Sequence, residues 1–386
     1  MSLESYDAAI IGGGPAGATA AIYLAEYGFK VCLFEKKIFP RETLCGEFLS
    51  KEVIEIIEEL NLFDKFNSLH PNPINTFRFI NNNGKELSAN FNFTAYGLRR
   101  SAFDALLLNA TQERGVKVFQ PYEISEIKKS GGDYKISAQN QNGLGVDLQC
   151  KFVIAAYGKQ NILDKTLNRS FAGQKSFLNG VKFHFPKSGL KNILPNEIRI
   201  YVSNGMYCGV NEVDNDTVTL AFLENRMTLK KPSRQNLIEF ISRNESFKNI
   251  FIGNSFEQIN ELPAYGSGNI YFGRKNLVEN GIFMIGDAAG VVAPLAGDGI
   301  GMALQSAKLI ASILVKSRKE SLSAEETEYL YKNSWRKLFK KRLILASFIQ
   351  TILLQSKFRN AAVNFVKIFP SVLQKLIKVT RADYTL

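Results

Sequence analysis

Two glycine-rich turns hold the residues with the clearest chemistry. The first, Gly12-Gly13-Gly14-Pro15-Ala16-Gly17, follows the apolar run Asp7 to Ile11. Glycine at 12 permits a tight turn, glycine at 14 lets the backbone approach a pyrophosphate, and glycine at 17 lets helix and strand pack closely. Glu35 ends the run "KVCLFE", 18 residues after Gly17. A carboxylate there accepts hydrogen bonds from both ribose hydroxyls and disfavours a 2′-phosphate, so FAD or NAD fits better than NADP. The second turn lies in "GIFMIGDAAGVVAPLAGDGIGMALQSAKLIA", which puts Asp287 at a strand end and Gly299 at a helix start. One dinucleotide of ordinary length needs one such turn. FAD, whose flavin lies far from its adenosine, accounts for two: the first turn for the ADP half, Asp287 for the ribityl hydroxyls, and the helix at Gly299 for the flavin N1/C2=O edge.

Other chemistries find little support. Cys32, Cys45, Cys150 and Cys208 are far apart with no CxxC pair, which fits a reducing compartment and argues against a disulfide framework or zinc. The two histidines, His70 and His184, form no ligand-spaced cluster. A metal site and a histidine-based triad are therefore not expected, and both histidines read as residues with ordinary partners. The start "MSLESYDAAI" is acidic and breaks at Gly12, unlike a secretion signal. The longest uncharged run of the tail, Leu343 to Ser356, has 14 residues, whereas a span needs ~20. The expected location is cytoplasmic, with peripheral membrane contact as an added option.

The elements that must position these residues follow from the pattern. A strand, an Ala-rich helix ended by Gly28, and a second strand surround the first turn. The helix after Gly299 carries Met302, Ala303, Leu304, Ala307, Ile310 and Ile313 on an apolar face. "INTFRFINNNGKELSANFNF" reads as a hairpin turning at Asn83-Gly84, and "EIRIYVSNGMYCGV" and "TVTLAFLE" read as further strands. The net charge of +12 is concentrated: Tyr329 to Ala382 holds twelve Lys or Arg and no Asp or Glu. Trp335, Leu338, Phe339 and Leu343 recur there at helical spacing among Lys337, Lys340, Lys341 and Arg342, and apolar residues continue past Pro370. Such a tail suits a cap on the cofactor domain, a lid over a greasy tunnel, or an anionic membrane surface. It is too apolar, and lacks a recognised fold, for nucleic acid.

In this order the motifs resemble the flavoprotein superfamily with the para-hydroxybenzoate hydroxylase fold. The chain is most similar to the branch holding geranylgeranyl reductases, flavin-dependent halogenases and related monooxygenases. The resemblance runs from Asp7 to about Leu314 through "GGGPAG" with Glu35, "FPRETLCGEFLS", "GLRRSAFDALLLNA", "FVIAAYGKQN" and "GDAAGVVAPLAGDGIG". It implies an α/β fold: a Rossmann-like FAD-binding domain with an inserted β-sheet substrate domain and a C-terminal helical tail. The expected parts are 1–72, 98–172 and 266–320 for the discontinuous FAD-binding domain, 73–97 and 173–265 for the substrate domain, and 321–386 for the tail. It also implies non-covalent FAD held by Gly12, Gly14, Ala16, Gly17, Glu35, Arg41, Cys45, Gly46, Arg100, Ile124, Asp287, Pro294, Gly299 and Ile300. Cys45 is the flavin-proximal candidate, and no catalytic residue is assigned.

Departures from the family pattern bear on the reaction. Tyr157 stands where many hydroxylases have an Asp that couples NAD(P)H to the flavin, which leaves the electron donor open, NAD(P)H included. Halogenases of the branch carry a two-tryptophan motif, and Trp335 is the single tryptophan here, which disfavours halogenation. The reductases' Tyr-x-Trp-x-Phe-Pro strand is matched only at Tyr207, although Cys45-Gly46 resembles their Cys-Gly-x. The expectation is an FAD-dependent oxidoreductase acting on a lipophilic small molecule such as a polyketide, phenolic lipid or isoprenoid. Hydroxylation through a flavin C4a-hydroperoxide is favoured over reduction of carbon–carbon double bonds by hydride from flavin N5. A flavin sensor or membrane-binding module without turnover is the rival from another class. The sequence leaves the oligomeric state open.

Overall fold

The computed structural model describes residues 3–193, 195–273, 275–293 and 297–354. The chain opens with β1 (Glu4–Ile11), α1 (Pro15–Glu26), β2 (Val31–Phe34), β3 (Phe48–Leu49), α2 (Lys51–Glu59) and α3 (Phe63–Asn67). The long hairpin β4 (Asn72–Asn81) and β5 (Glu86–Gly97) leads to α4 (Arg100–Glu113) and β6 (Lys117–Phe119). Then come β7 (Glu123–Ser130), β8 (Asp133–Gln139), β9 (Gly145–Ala155) and the short α5 (Leu163–Thr166). The next stretch holds β10 (Leu178–Pro186), β11 (Glu197–Ser203), β12 (Met206–Glu212), β13 (Thr217–Asn225), α6 (Ser233–Arg243) and α7 (Glu245–Lys248). The last described elements are β14 (Tyr265–Ser267), β15 (Val278–Glu279), β16 (Ile282–Met284), α8 (Gly299–Glu320) and α9 (Ala324–Leu354).

Two sheets result. In the first the order is β15-β16-β9-β1-β2-β6, with β8 joined to β9 and β7 to β8. β1 is fully buried over its last four residues and runs parallel to both β2 and β9, which explains its unbroken apolar sequence. β16 continues the parallel set, pairing Phe283 with Ile154. The second sheet has the order β14-β10-β13-β12-β11-β4-β5-β3. β3 therefore lies in the second sheet, paired with β5, although it falls within the first expected segment of the other domain. The Asn83-Gly84 turn joins β4 to β5, with Asn81 Oδ1 accepting from the amides of Asn83 and Lys85.

Helices cover the first sheet. α1, seven of whose twelve residues are Ala, Gly or Ile, is buried along ten of its residues and packs against α8. α8 is apolar and long enough to cross a membrane, yet most of it is buried inside the protein, as in a core helix. α9 packs back on α8. Tyr331 is fully buried with its hydroxyl donating to the Met284 carbonyl, and Trp335 rests against Gly290. Residues 355–386, with the expected apolar run beyond Pro370, lie outside the described residues.

Candidate functional site

The parallel strands deliver their ends to one edge. The Gly12 amide donates to Phe34 O at 2.7 Å, Ala156 N to Ile11 O at 2.8 Å, and Ile285 N to Ala155 O at 3.0 Å. The residues that follow β1, β2, β9 and β16 thus stand side by side at the carboxyl edge, where ligands bind in open α/β sheets. Gly12 has φ +108, and a Cβ there would come within 2.6 Å of Ala156 O. A Cβ on Gly17 would collide with the Gly12 carbonyl oxygen. The loop geometry therefore requires glycine at both positions.

A cradle for an anionic dinucleotide surrounds this loop. No side chain caps the N-terminus of α1, so the backbone amides of its first turn remain available. Gly14 meets nothing closer than Arg41 Nη2, 3.7 Å from an added Cβ. Arg41 lies 3.9 Å from Glu35 and 3.8 Å from Asp104. Its buried Nε has no hydrogen-bond partner among the described residues. An unsatisfied guanidinium N–H beside a glycine loop and a helix N-terminus fits a pyrophosphate. Glu35 accepts from Gly13 N and Lys37 N, both at 2.8 Å, which fixes the carboxylate and leaves lone pairs for ribose hydroxyls. Ala16 and Ile124 line the same cavity.

The second turn approaches from the other side of the edge. Gly286 adopts φ +56 against Ala16 of α1. Asp287 faces the cavity 3.9 Å from Lys159 Nζ, and Lys275 Nζ donates to its carbonyl at 2.9 Å. Burial pushes Lys275 down to about 8, with the Asp287 charge opposing that shift. Gly299 and Ile300 open α8 at the cavity wall, and Pro294 lies outside the described residues. Asp298, which precedes α8, is buried and accepts from Arg342 of α9. Arg342 also donates to Gln305 at 2.7 Å and lies 3.5 Å from Glu52. Trp335 and Phe339 are buried in the protein, and Arg342 belongs to an interior ion cluster, so none of the three is available to a membrane. Arg336, Lys337, Lys340 and Lys341 remain exposed.

Between the turns lies the wall Glu42 to Phe48, where Cys45 and Gly46 line the cavity. Cys45 Sγ accepts from Glu47 N at 3.3 Å. Arg100 forms a paired bond to Asp104 (2.8 and 2.9 Å), which raises its pKa against the opposing effect of burial. Glu47 is the residue that sequence reasoning missed. Fully buried at φ +55, it accepts from Lys182 at 2.7 Å, the Arg100 amide at 2.8 Å and Thr219, and pairs with His184 at 2.7 Å. Burial alone pushes its carboxyl up, but the His184 hydrogen bond and the Lys182 ammonium overcome this and hold its pKa at about 2. Glu42, Glu47 and His184 bring ligand-type atoms within 4.8 Å of one another. The Lys182 ammonium bonds both carboxylates, at 2.6 and 2.7 Å, so a cation already sits between them. The readable signal was the alternation in β10: Gly180, Lys182 and His184 on one face, Val181, Phe183 and Phe185 on the other. Tyr157, at the departure from the Asp pattern, donates to Asp164 at 2.7 Å and accepts from Arg169 at 2.9 Å.

One cavity of about 1080 Å³ joins these parts, from Gly12 and Glu35 past Cys45 to an apolar chamber. Phe77, Phe79, Ile198 and Ile200 of the second sheet form its floor, and Leu345, Ile349 and Ile352 of α9 its roof. Phe348 lines the cavity yet is 63% exposed, so the chamber opens beside it.

Comparison with known proteins agrees with this arrangement. The family described as FAD binding domain matches residues 5–329. The chain is 27% identical over 369 residues to tryptophan 2-halogenase of Chondromyces crocatus, covering 88% of this chain and 67% of that protein. It is 26% identical over 352 residues to digeranylgeranylglycerophospholipid reductase of Methanoculleus marisnigri, covering 86% and 82%. Among solved structures, the myxobacterial chondrochloren halogenase CndH superposes with a TM-score of 0.78 at 18% identity, over 99% of this chain and 93% of that one. PqsL of Pseudomonas aeruginosa, described as a probable FAD-dependent monooxygenase, gives 0.73 at 17% identity over 93% and 99%. At these identities the structural likeness speaks to fold. Halogenation, disfavoured on the tryptophan count, thus stands beside hydroxylation and reduction among the chemistries of the relatives.

Proposed function

The chain belongs to the FAD binding domain family and is an FAD-dependent oxidoreductase; from that premise we propose that it is a monooxygenase hydroxylating a lipophilic small molecule. The observation that carries this reading is the single cavity leading from the glycine loops into an apolar chamber under α9. A bound flavin supplies the redox chemistry and the activation of oxygen. The residues of the chain supply position and dryness. Arg41 and the α1 N-terminus would hold the pyrophosphate, Glu35 the ribose, and Asp287 with Lys159 the ribityl side. The α8 N-terminus favours negative charge at the ring edge. The aromatic floor and the α9 roof exclude water from the reacting centre.

Reduction of a double bond is the second reading. It rests on Cys45-Gly46 at the cavity wall and on the likeness to digeranylgeranylglycerophospholipid reductase of Methanoculleus marisnigri. Flavin-loaded protein, photoreduced without oxygen and then mixed with oxygen, chloride and a lipid extract, separates the chemistries by product mass. Hydroxylation adds one oxygen, reduction adds two hydrogens, and halogenation exchanges hydrogen for halogen. Hydroxylated product is expected. Reduced or halogenated product without it overturns the reading.

A further inference from the structure

The first turn of α8 is crowded by acids. A Cβ added to Gly301 would meet Asp298 Oδ1 at 2.8 Å, Ser50 Oγ at 3.1 Å and Glu52 Cβ at 3.7 Å. Asp298 and Glu52 are 1% and 3% exposed, so both carboxyl groups are interior. Neither side-chain oxygen of Glu52 has a hydrogen-bond partner among the described residues. The cation that faces the two acids comes from α9. Arg342, itself buried, donates to Asp298 and lies 3.5 Å from Glu52. A 2.7 Å hydrogen bond to Gln305, about one turn further along α8, fixes its guanidinium.

This cluster adjoins the cavity. Asp298, Gly299 and Ile300 are among the described residues that line it, and Arg342 is not. A helix N-terminus carries roughly half a positive charge, felt within the first turn. Two carboxylates against that turn would outweigh it if nothing opposed them. One guanidinium brings the three side chains from two negative charges to one. At an effective dielectric constant of about 20, a unit charge about 10 Å away changes an equilibrium by about tenfold. Lys337, Lys340 and Lys341 of the same helix are exposed, where water and salt screen them.

We propose that Arg342 sets the redox balance of the flavin: by offsetting Asp298 and Glu52 at the first turn of α8, it lets that turn favour the reduced, negatively charged ring over the oxidised one. Arg342 touches neither flavin nor substrate and acts through the two acids. The helix that roofs the chamber is thereby also an electrostatic part of the cofactor site, since Leu345 and Ile349 of the roof lie about one and two turns beyond Arg342. The inference rests on a flavin at the α8 N-terminus and is indifferent to the reaction that the reduced flavin then carries out.

The test measures the two-electron midpoint potential of full-length, FAD-loaded protein near neutral pH, with the thermal midpoint followed in parallel. Arg342→Met should disfavour the reduced flavin about tenfold, a fall of about 30 mV. Glu52→Gln removes an acid and keeps the cation, so the potential should rise by a similar amount. The double variant leaves one acid and no cation, the same net charge as the wild-type cluster, and should return to within about twofold of wild type. Arg342→Lys keeps the charge and loses hydrogen bonds, so its thermal midpoint should fall while the redox balance stays within about twofold. Lys341→Met, one residue away but exposed, should leave the potential unchanged. If Arg342→Met sheds its flavin, Glu52→Gln and Arg342→Lys decide. No rise in Glu52→Gln, a shift in Arg342→Lys as large as that expected of Arg342→Met, or an equal shift in Lys341→Met overturns the inference. Reduced or halogenated product together with the charge-ordered potentials overturns the hydroxylation reading and leaves the role of Arg342 standing. Hydroxylated product without them does the reverse.

Discussion

At Arg41 a guanidinium with an unsatisfied buried N–H faces the glycine loop, so its removal should act on cofactor affinity before stability. Charge-assisted hydrogen bonds contribute roughly 1.5–3 kcal/mol, so Arg41→Met should weaken FAD binding by about tenfold to a hundredfold, read by titrating apoprotein with FAD. Asp287→Ala should give a folded protein that purifies poor in flavin, and normal flavin content there would remove its ribityl role. Glu47 governs the acid limb of stability. Its folded pKa of about 2 lies below the ordinary 4.5. The carboxylate therefore stabilises the fold fully above about pH 4.5, and the stabilisation is lost as pH falls through about 2. A gap of that size corresponds to about 3 kcal/mol. Thermal midpoints measured from pH 5 to pH 2 should fall less steeply in Glu47→Gln than in wild type, from a lower starting value. Gly12, Glu35 and Asp287 were legible because local spacing defines them. Glu47 was not, because its partners Lys182, His184 and Thr219 reach it only once β10 and β13 are paired.

At the scale of elements, α9 shows what helical periodicity tells and what it omits. The spacing of Trp335, Leu338 and Phe339 gives a helix with one apolar stripe, and the helix is present. The stripe does not say what covers it: a bilayer and the top of α8 present the same apolar surface to such a face. Nor does the sequence separate Arg342 from its exposed neighbours, since its partners Asp298 and Glu52 lie on other elements. That placement makes a prediction. Arg342→Met leaves two buried carboxylates without their cation, a change that typically costs about 3–5 kcal/mol. Its thermal midpoint should fall by several degrees, and Arg342→Lys should restore part of the loss. The first sheet was legible for a different reason. Strands buried on both faces carry continuous apolar runs, whereas the order of strands in the second sheet depends on pairings between distant segments.

For the molecule as a whole, the excess positive charge left outside the fold includes Arg336, Lys337, Lys340 and Lys341. Each cation at an anionic surface contributes about 1 kcal/mol and is screened within a Debye length. If the tail meets a membrane, binding to anionic vesicles should be strong at low salt and fade as salt is raised. Reversing Lys340 and Lys341 to Glu should weaken it while flavin content is unchanged. Wild-type protein that ignores such vesicles at low salt leaves α9 without a membrane role. The pairing of β9 with both β1 and β16 has a consequence in time. Residues 4–11 must wait beside 148–155 until 283–284 have been synthesised, because β16 supplies the remaining neighbour of that strand. At about 5–20 residues per second, the roughly 130 residues between β9 and β16 take on the order of ten seconds to leave the ribosome. For that interval the nascent chain exposes an apolar strand edge and owns only one of its two cofactor anchors. Flavin capture thus belongs to the nearly finished chain, and ribosome-bound chains stalled before Gly286 should carry none.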